Sequence, residues 1–357
     1  MRINKSGKPF TEKLLRSLML GALGVVCAAN VSAPVFAENL KDKLVMRPAL
    51  LSAKVTQSLL LDVAVHGPNV VAVGERGHVI VSHDDGNTWV QSATPVTIML
   101  TAVAFPTDND IFAVGHEGLI MHSGDAGKTW EVQFGNPYLP PSDSGGDDAG
   151  AEPDQRAGQP LLDVWFKDAK TGFVVGAYGY FLHTDDGGKT WEDWSEKMPN
   201  EDQWHLNSIV TRDGQRLYVV GEKGIIFRSD DGGENWKSLP SPYEGSLFGA
   251  IPGPGQNEVT VFGLQGKLFR STDKGESWQP IKSPTDSSLM SGVFLTGRNV
   301  VLVGNNGVIL YSRDDGNTFE MQQMKDRLSI VGLQANAEGK LVMVGQGGVR
   351  LASPALK

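Results

Sequence analysis

The sequence predicts an all-β fold, a seven-bladed β-propeller of four-stranded antiparallel blades, and three repeated features carry that expectation. An eight-residue figure returns six times, from Ser82-His-Asp84-Asp-Gly86-Asn-Thr88-Trp89 through segments closing at Trp130, Trp191, Trp236, Trp278 and Phe319, with starts 41, 61, 45, 42 and 41 residues apart. That period is the length of one propeller blade. A Gly-x-x-Gly figure occurs seven times, at Gly74, Gly115, Gly176, Gly221, Gly263, Gly304 and Gly345, each time behind a short apolar run such as Val70-Val-Ala-Val73. Upstream of each lies a further apolar run, starting at Leu61, Leu100, Leu161, Leu206, Leu247, Leu289 and Leu328. Short apolar runs bounded by turn residues read as buried strands, here A and B, with C and D flanking the eight-residue figure.

Residues 1–37 stand apart from the repeats. Arg2, Lys5, Lys8, Lys13 and Arg16 precede an apolar core from Leu18 to Ala29 and a small-residue site at Val35-Phe36-Ala37. The core is too short for a bilayer, so the segment reads as a Sec-type signal peptide cleaved after Ala37. There is no arginine pair, and Val26 is too large for a lipoprotein site before Cys27, the sole cysteine, which cleavage removes. The expected location is the periplasm, without membrane insertion.

Next comes Ala49-Leu-Leu-Ser-Ala-Lys-Val-Thr56. The seventh repeat has no eight-residue figure after Val349-Arg-Leu-Ala352, so residues 49–56 are expected to pair there as its fourth strand and close the ring.

The eight-residue figure is a strand-to-strand turn. Its Asp accepts backbone N–H groups, its fifth residue is a glycine free to take positive φ, and its aromatic is buried. Asp84, Asp125, Asp186, Asp231, Asp273 and Asp314 share one register and are therefore structural rather than catalytic. Seven scattered histidines show no ligand spacing, and Asp143, Asp147 and Asp148 have no calcium-loop pattern, so no metal or cofactor is expected.

Propeller topology puts the A–B and C–D connections on one side of the disc, the back. The Gly-x-x-Gly turns and the D-to-A crossings lie on the other, the front. The front turns differ in chemistry where the frame does not, which is where binding is built on a rigid scaffold. They supply the candidate partner-binding residues Glu75, Arg76, His116, Glu117, Tyr178, Glu222, Lys223, Asn305 and Asn306, with His78 and Tyr180 beside them. Tyr243 and Glu244 join them from the crossing into blade five. The long spacing reflects an insert at about residues 136–158, rich in Pro, Gly and Asp, on the same face.

The chain has 32 basic and 41 acidic residues, net −9. The leader holds 5 of the basic and 1 of the acidic, leaving 27 against 40, or −13, which makes nucleic acid and anionic membranes poor partners.

The Asp turns, sevenfold count and Val-Gly-x-x-Gly strands resemble the BNR/Asp-box propellers, in particular the photosystem II stability/assembly factor family and its non-photosynthetic bacterial relatives, over residues from about 49 to 357. The resemblance implies a non-enzymatic factor that assembles or stabilises a membrane protein complex from its lumenal or periplasmic side. For bacterial relatives it implies a transporter, an exporter of the resistance-nodulation-division type. It also implies an arginine-rich docking patch, which the residues do not locate. Asp-box propellers include sialidases, which need a tyrosine nucleophile with its base and an arginine cluster. The front turns offer Arg76 alone and no such set. A glycan- or lipid-binding module is the alternative.

Overall fold

The computed structural model describes residues 47–135 and 158–354; the leader and nearly all of the insert lie outside them. Among the described residues seven antiparallel sheets follow one another around a central axis, six of four strands and one of three. Blade one shows the plan: A at Leu60–His66, B at Asn69–Gly74, C at Val79–Ser82 and D at Val90–Ser92. Strand B is buried on both faces in every blade, which explains its unbroken apolar runs. Each hydrophobic cluster joins neighbouring blades, as where Phe112 of blade two stacks on Phe166 of blade three at 3.7 Å between ring centres.

The eight-residue figures are the C–D turns, and the bonds of their Ser/Thr hydroxyl and Asp carboxylate recur in all six. In blade one the Ser82 hydroxyl donates to Asp84 Oδ1 at 2.7 Å and accepts the Gly86 N–H at 2.9 Å. Thr88 donates its N–H and its hydroxyl to the same carboxylate at 2.8 and 2.7 Å, and Trp89 Nε1 donates to the Gly86 carbonyl at 3.0 Å. Asp84 is held down to about 2, first by the Thr88 hydroxyl and then by the Thr88 N–H. The aspartates serve the turn.

The sides of the disc fall as the topology requires. The Asp85 N–H donates to Pro68 in the A–B turn at 2.9 Å, whereas the Glu75 N–H donates to Leu59 in the crossing at 3.0 Å.

Blade seven departs from expectation in two ways. Residues 49–56 do not form its fourth strand, and among the described residues nothing pairs with the outer side of Gly348–Ala352. Val55–Gln57 is instead a 3₁₀ turn, and the segment before it hydrogen-bonds to blade one. Ala49 N–H donates to the Thr94 carbonyl at 3.1 Å and Ser52 N–H to Gln91 Oε1 at 2.7 Å. The physical reason is Val55, buried in the seam with Leu60, Val63, Val342 and Val344, so the ring closes by side-chain packing between blades one and seven.

The second departure is in register. Blades one to six turn through a 3₁₀ turn at Gly-x-x-Gly, so that blade six pairs Val303 with Ile309. Blade seven makes a tight two-residue turn, pairing Gly345 with Gly348 and Val344 with Val349. A one-residue slip turns a strand over. Val308 and Leu310 of blade six accordingly pack toward blade five, while Val349 and Leu351 face forward to blade one.

Candidate functional site

Six of the front turns place their second variable residue in the left-handed region: Arg76, Glu117, Tyr178, Lys223, Gln265 and Asn306 have φ between 55° and 61°. All six side chains are exposed, Tyr178 to 48%. The first variable residue does different work. Glu75 Oε1 accepts the Leu59 N–H at 3.1 Å, Glu222 Oε2 the His205 N–H at 3.5 Å and Gln346 Oε1 the Ser329 N–H at 3.1 Å, each fastening the crossing to its turn. In these three turns the first position holds the crossing.

The structure separates the expected site residues accordingly. Arg76, His116, Glu117, Tyr178, Lys223, Glu244 and Asn306 are exposed, and Glu75, Glu222, Tyr243 and Asn305 are half-buried. His78 and Tyr180 are corrected. Each directly precedes a C strand, Val79–Ser82 or Phe181–Thr184, and is buried, 5% and 4% exposed, beyond the reach of a partner. Burial lowers the affinity of His78 for a proton, and its Nδ1 has no hydrogen-bond partner among the described residues.

The front of blades three to five carries an arc of aromatic residues. The Tyr178 N–H donates to His205 Nδ1 at 2.9 Å, and the two rings meet edge to face at 4.9 Å. Lys223 Nζ lies 5.6 Å over the Trp204 ring, and the Tyr243 hydroxyl meets Gln265 Oε1 at 3.5 Å. Leu264 is 38% exposed beside them. The neighbouring sector, blades one and two, presents Glu75, Arg76, His116 and Glu117 instead. The insert opens here too. An added Cβ at Gly135 would sit 2.0 Å from the Gly118 carbonyl oxygen, and one at Gly118 would sit 3.4 Å from Gly158, so both ends of the insert lie over the blade-two front turn.

The A strands line a central cavity of about 820 Å³. Two carboxylates in its wall have no counterpart in the sequence-derived site. Asp62 Oδ2 accepts the Val103 N–H of the next blade at 2.8 Å, and Asp163 Oδ2 accepts the Ile209 N–H of the next blade at 2.9 Å. Burial, and then the charge of Asp163, push Asp62 up to about 7; burial pushes Asp163 up to about 6. An aspartate inside an apolar run, as in Leu61-Asp-Val and Leu162-Asp-Val, is the signal that could have found them.

Both groups bind a proton more tightly folded than unfolded, so their contribution favours the native state below the ordinary aspartate value and is lost as pH rises through about 6 to 7. An Asp62→Asn protein keeps the acceptor for Val103 without the charge. Its melting temperature should exceed that of the parent by several degrees at pH 8, and the excess should shrink as pH falls and vanish by about pH 3, because each tenfold tightening of proton binding on folding is worth about 1.4 kcal/mol. Equal melting temperatures at both pH values would refute the assignment.

The family model described as "Photosynthesis system II assembly factor YCF48" matches residues 52–145 and 154–285. A curated relative, the photosystem II assembly lipoprotein Ycf48 of Parasynechococcus marenigrum, is 44% identical over 48 residues, 13% of this chain and 14% of its own length. The match therefore spans far less than two thirds of that relative. Among solved structures, a YCF48 bound to a D1 peptide aligns with a TM-score of 0.66 at 18% identity, covering 86% of this chain and 98% of that one. YCF48 from Cyanidioschyzon merolae aligns at 0.65 and 16%, with the same coverage. At these identities the structures speak for the fold.

Proposed function

This chain belongs to the photosystem II assembly factor YCF48 family, and from that premise we propose that it is a non-enzymatic, exported assembly or stability factor that docks on a membrane protein complex through its front face. The observation that carries the reading is the ring of six exposed residues of unlike chemistry on turns of like backbone. Turns fixed by buried glycines at their ends and by crossing hydrogen bonds are pre-organised, which lowers the ordering cost of an interface. Tyr178, Trp204 and Tyr243 are the residue types that anchor such interfaces.

Two of the front carboxylates serve the frame rather than chemistry. Glu75 and Glu222 are engaged by backbone N–H groups of the crossings. The D1 peptide on a solved YCF48 suggests a peptide segment as the element recognised. The periplasmic location, with cleavage after Ala37, rests on the leader sequence; an exporter as the particular partner rests on the resemblance alone. Among the described residues no helix is long and apolar enough to cross a membrane.

Crosslinking in intact cells, followed by identification of the proteins recovered with the native chain, tests this reading. A membrane protein recovered reproducibly is the expected result. Recovery of the chain alone with a bound glycan would favour the lectin-like alternative.

A further inference from the structure

We propose that the outer edge of blade seven is a strand-addition site, where an extended partner segment, apolar at alternate positions and acidic toward its C-terminal end, supplies a fourth strand. This edge is a different surface from the front turns, and its occupant makes a contact beyond theirs. Six sheets carry four strands, whereas the described part of blade seven stops at Gly348–Ala352. In a hairpin closed by two residues the pair flanking the loop is hydrogen-bonded. With Gly345 opposite Gly348, the backbone groups of Val349 and Leu351 point to the open side. An open edge is a template for another strand.

Two further observations define the occupant. Leu50 and Leu51 are 68% and 69% exposed, and the 3.0 Å bond from Gln91 to the Leu50 carbonyl holds them beside the face of the outer blade-one strand that points away from blade two. They form an apolar rim on the blade-one side of this seam, and an incoming strand with apolar side chains on that face would cover it. The front end of the edge is basic. Lys325 and Arg327 are exposed there, and Asp326 between them is occupied by Arg350 at 2.7 Å. Lys54 is exposed next to the 3₁₀ turn that packs on the strand. An antiparallel addition runs from back to front, which brings its C-terminal end to these cations.

The test uses the full mature chain and a synthetic nine-residue peptide of alternating valine and threonine ending in two glutamates. Amide hydrogen exchange at Val349 and Leu351 should slow at least tenfold when the peptide is added. A Lys325→Glu, Arg327→Glu protein should bind it at least fivefold more weakly, and a peptide with a central proline should not bind. A Glu75→Arg, Arg76→Glu, Glu117→Arg protein should bind it unchanged, which separates failure here from failure of the front-face reading. The proposal is overturned if the Val349 and Leu351 amides are already protected without peptide, which would mean the chain fills its own edge. It is equally overturned if protection appears only at the front turns or if the proline peptide binds as well.

Discussion

Replacing Gly224 by alanine should lower the melting temperature by roughly 4–5 °C, the shift that about 3 kcal/mol produces in a chain of this size. Gly224 ends the front turn of blade four at φ +75°, and a Cβ there would sit 1.7 Å from the Tyr243 carbonyl oxygen. The opposing atom is backbone in the crossing, so relief requires moving the crossing away from the turn. That motion would carry Tyr243 with it and open the aromatic arc. Gly67, at φ +56° with nothing within 4 Å of its Cβ position, isolates the cost of the dihedral alone. Gly67→Ala should lose only about 1 kcal/mol. Thermal unfolding of the two variants side by side is the check, and equal losses would show that the close approach contributes nothing.

Gly224 also shows why the repeat is legible in the sequence and parts of the site are not. It belongs to a figure that recurs because each turn must pass under a crossing carbonyl, and the same requirement makes blades countable from sequence. The eight-residue figure is readable for a similar reason, since Asp84 and its equivalents each collect the same donors. Blade seven defeats the same reasoning. Gly345 and Gly348 match the spacing, yet the slip of one residue that turns Val349 and Leu351 toward blade one depends on packing against Val55 and Trp89, residues far away along the chain. His78 and Tyr180 are misplaced by sequence because a residue next to an exposed turn can equally begin a buried strand, and strand alternation fixes the side only once the register is known. The repeat places Leu264 in a front turn and Trp204 and His205 in a crossing on the same face; what it does not give is that Tyr178 meets His205 and Lys223 meets Trp204, because those contacts run between segments far apart in the repeat. Asp62 and Asp163 are hidden inside apolar strands, whose pattern predicts burial and gives no role to a carboxylate.

The central claim is that the front of the disc is the docking side, and reversal of charge on each face tests it most directly. Glu75→Arg, Arg76→Glu and Glu117→Arg change side chains on the front turns without touching the buried frame beyond one bond from Leu59. Lys128→Glu and Lys189→Glu change exposed residues in the back turns. Charges at a docking surface govern both encounter and selection of the partner, and like-charge juxtaposition costs several kcal/mol. Recovery of the crosslinked membrane partner from intact cells, measured for both variants alongside their melting temperatures, should be abolished for the front-face protein and unchanged for the back-face protein, with both folded. Loss of the partner on the back-face change, with recovery intact on the front-face one, would contradict the account.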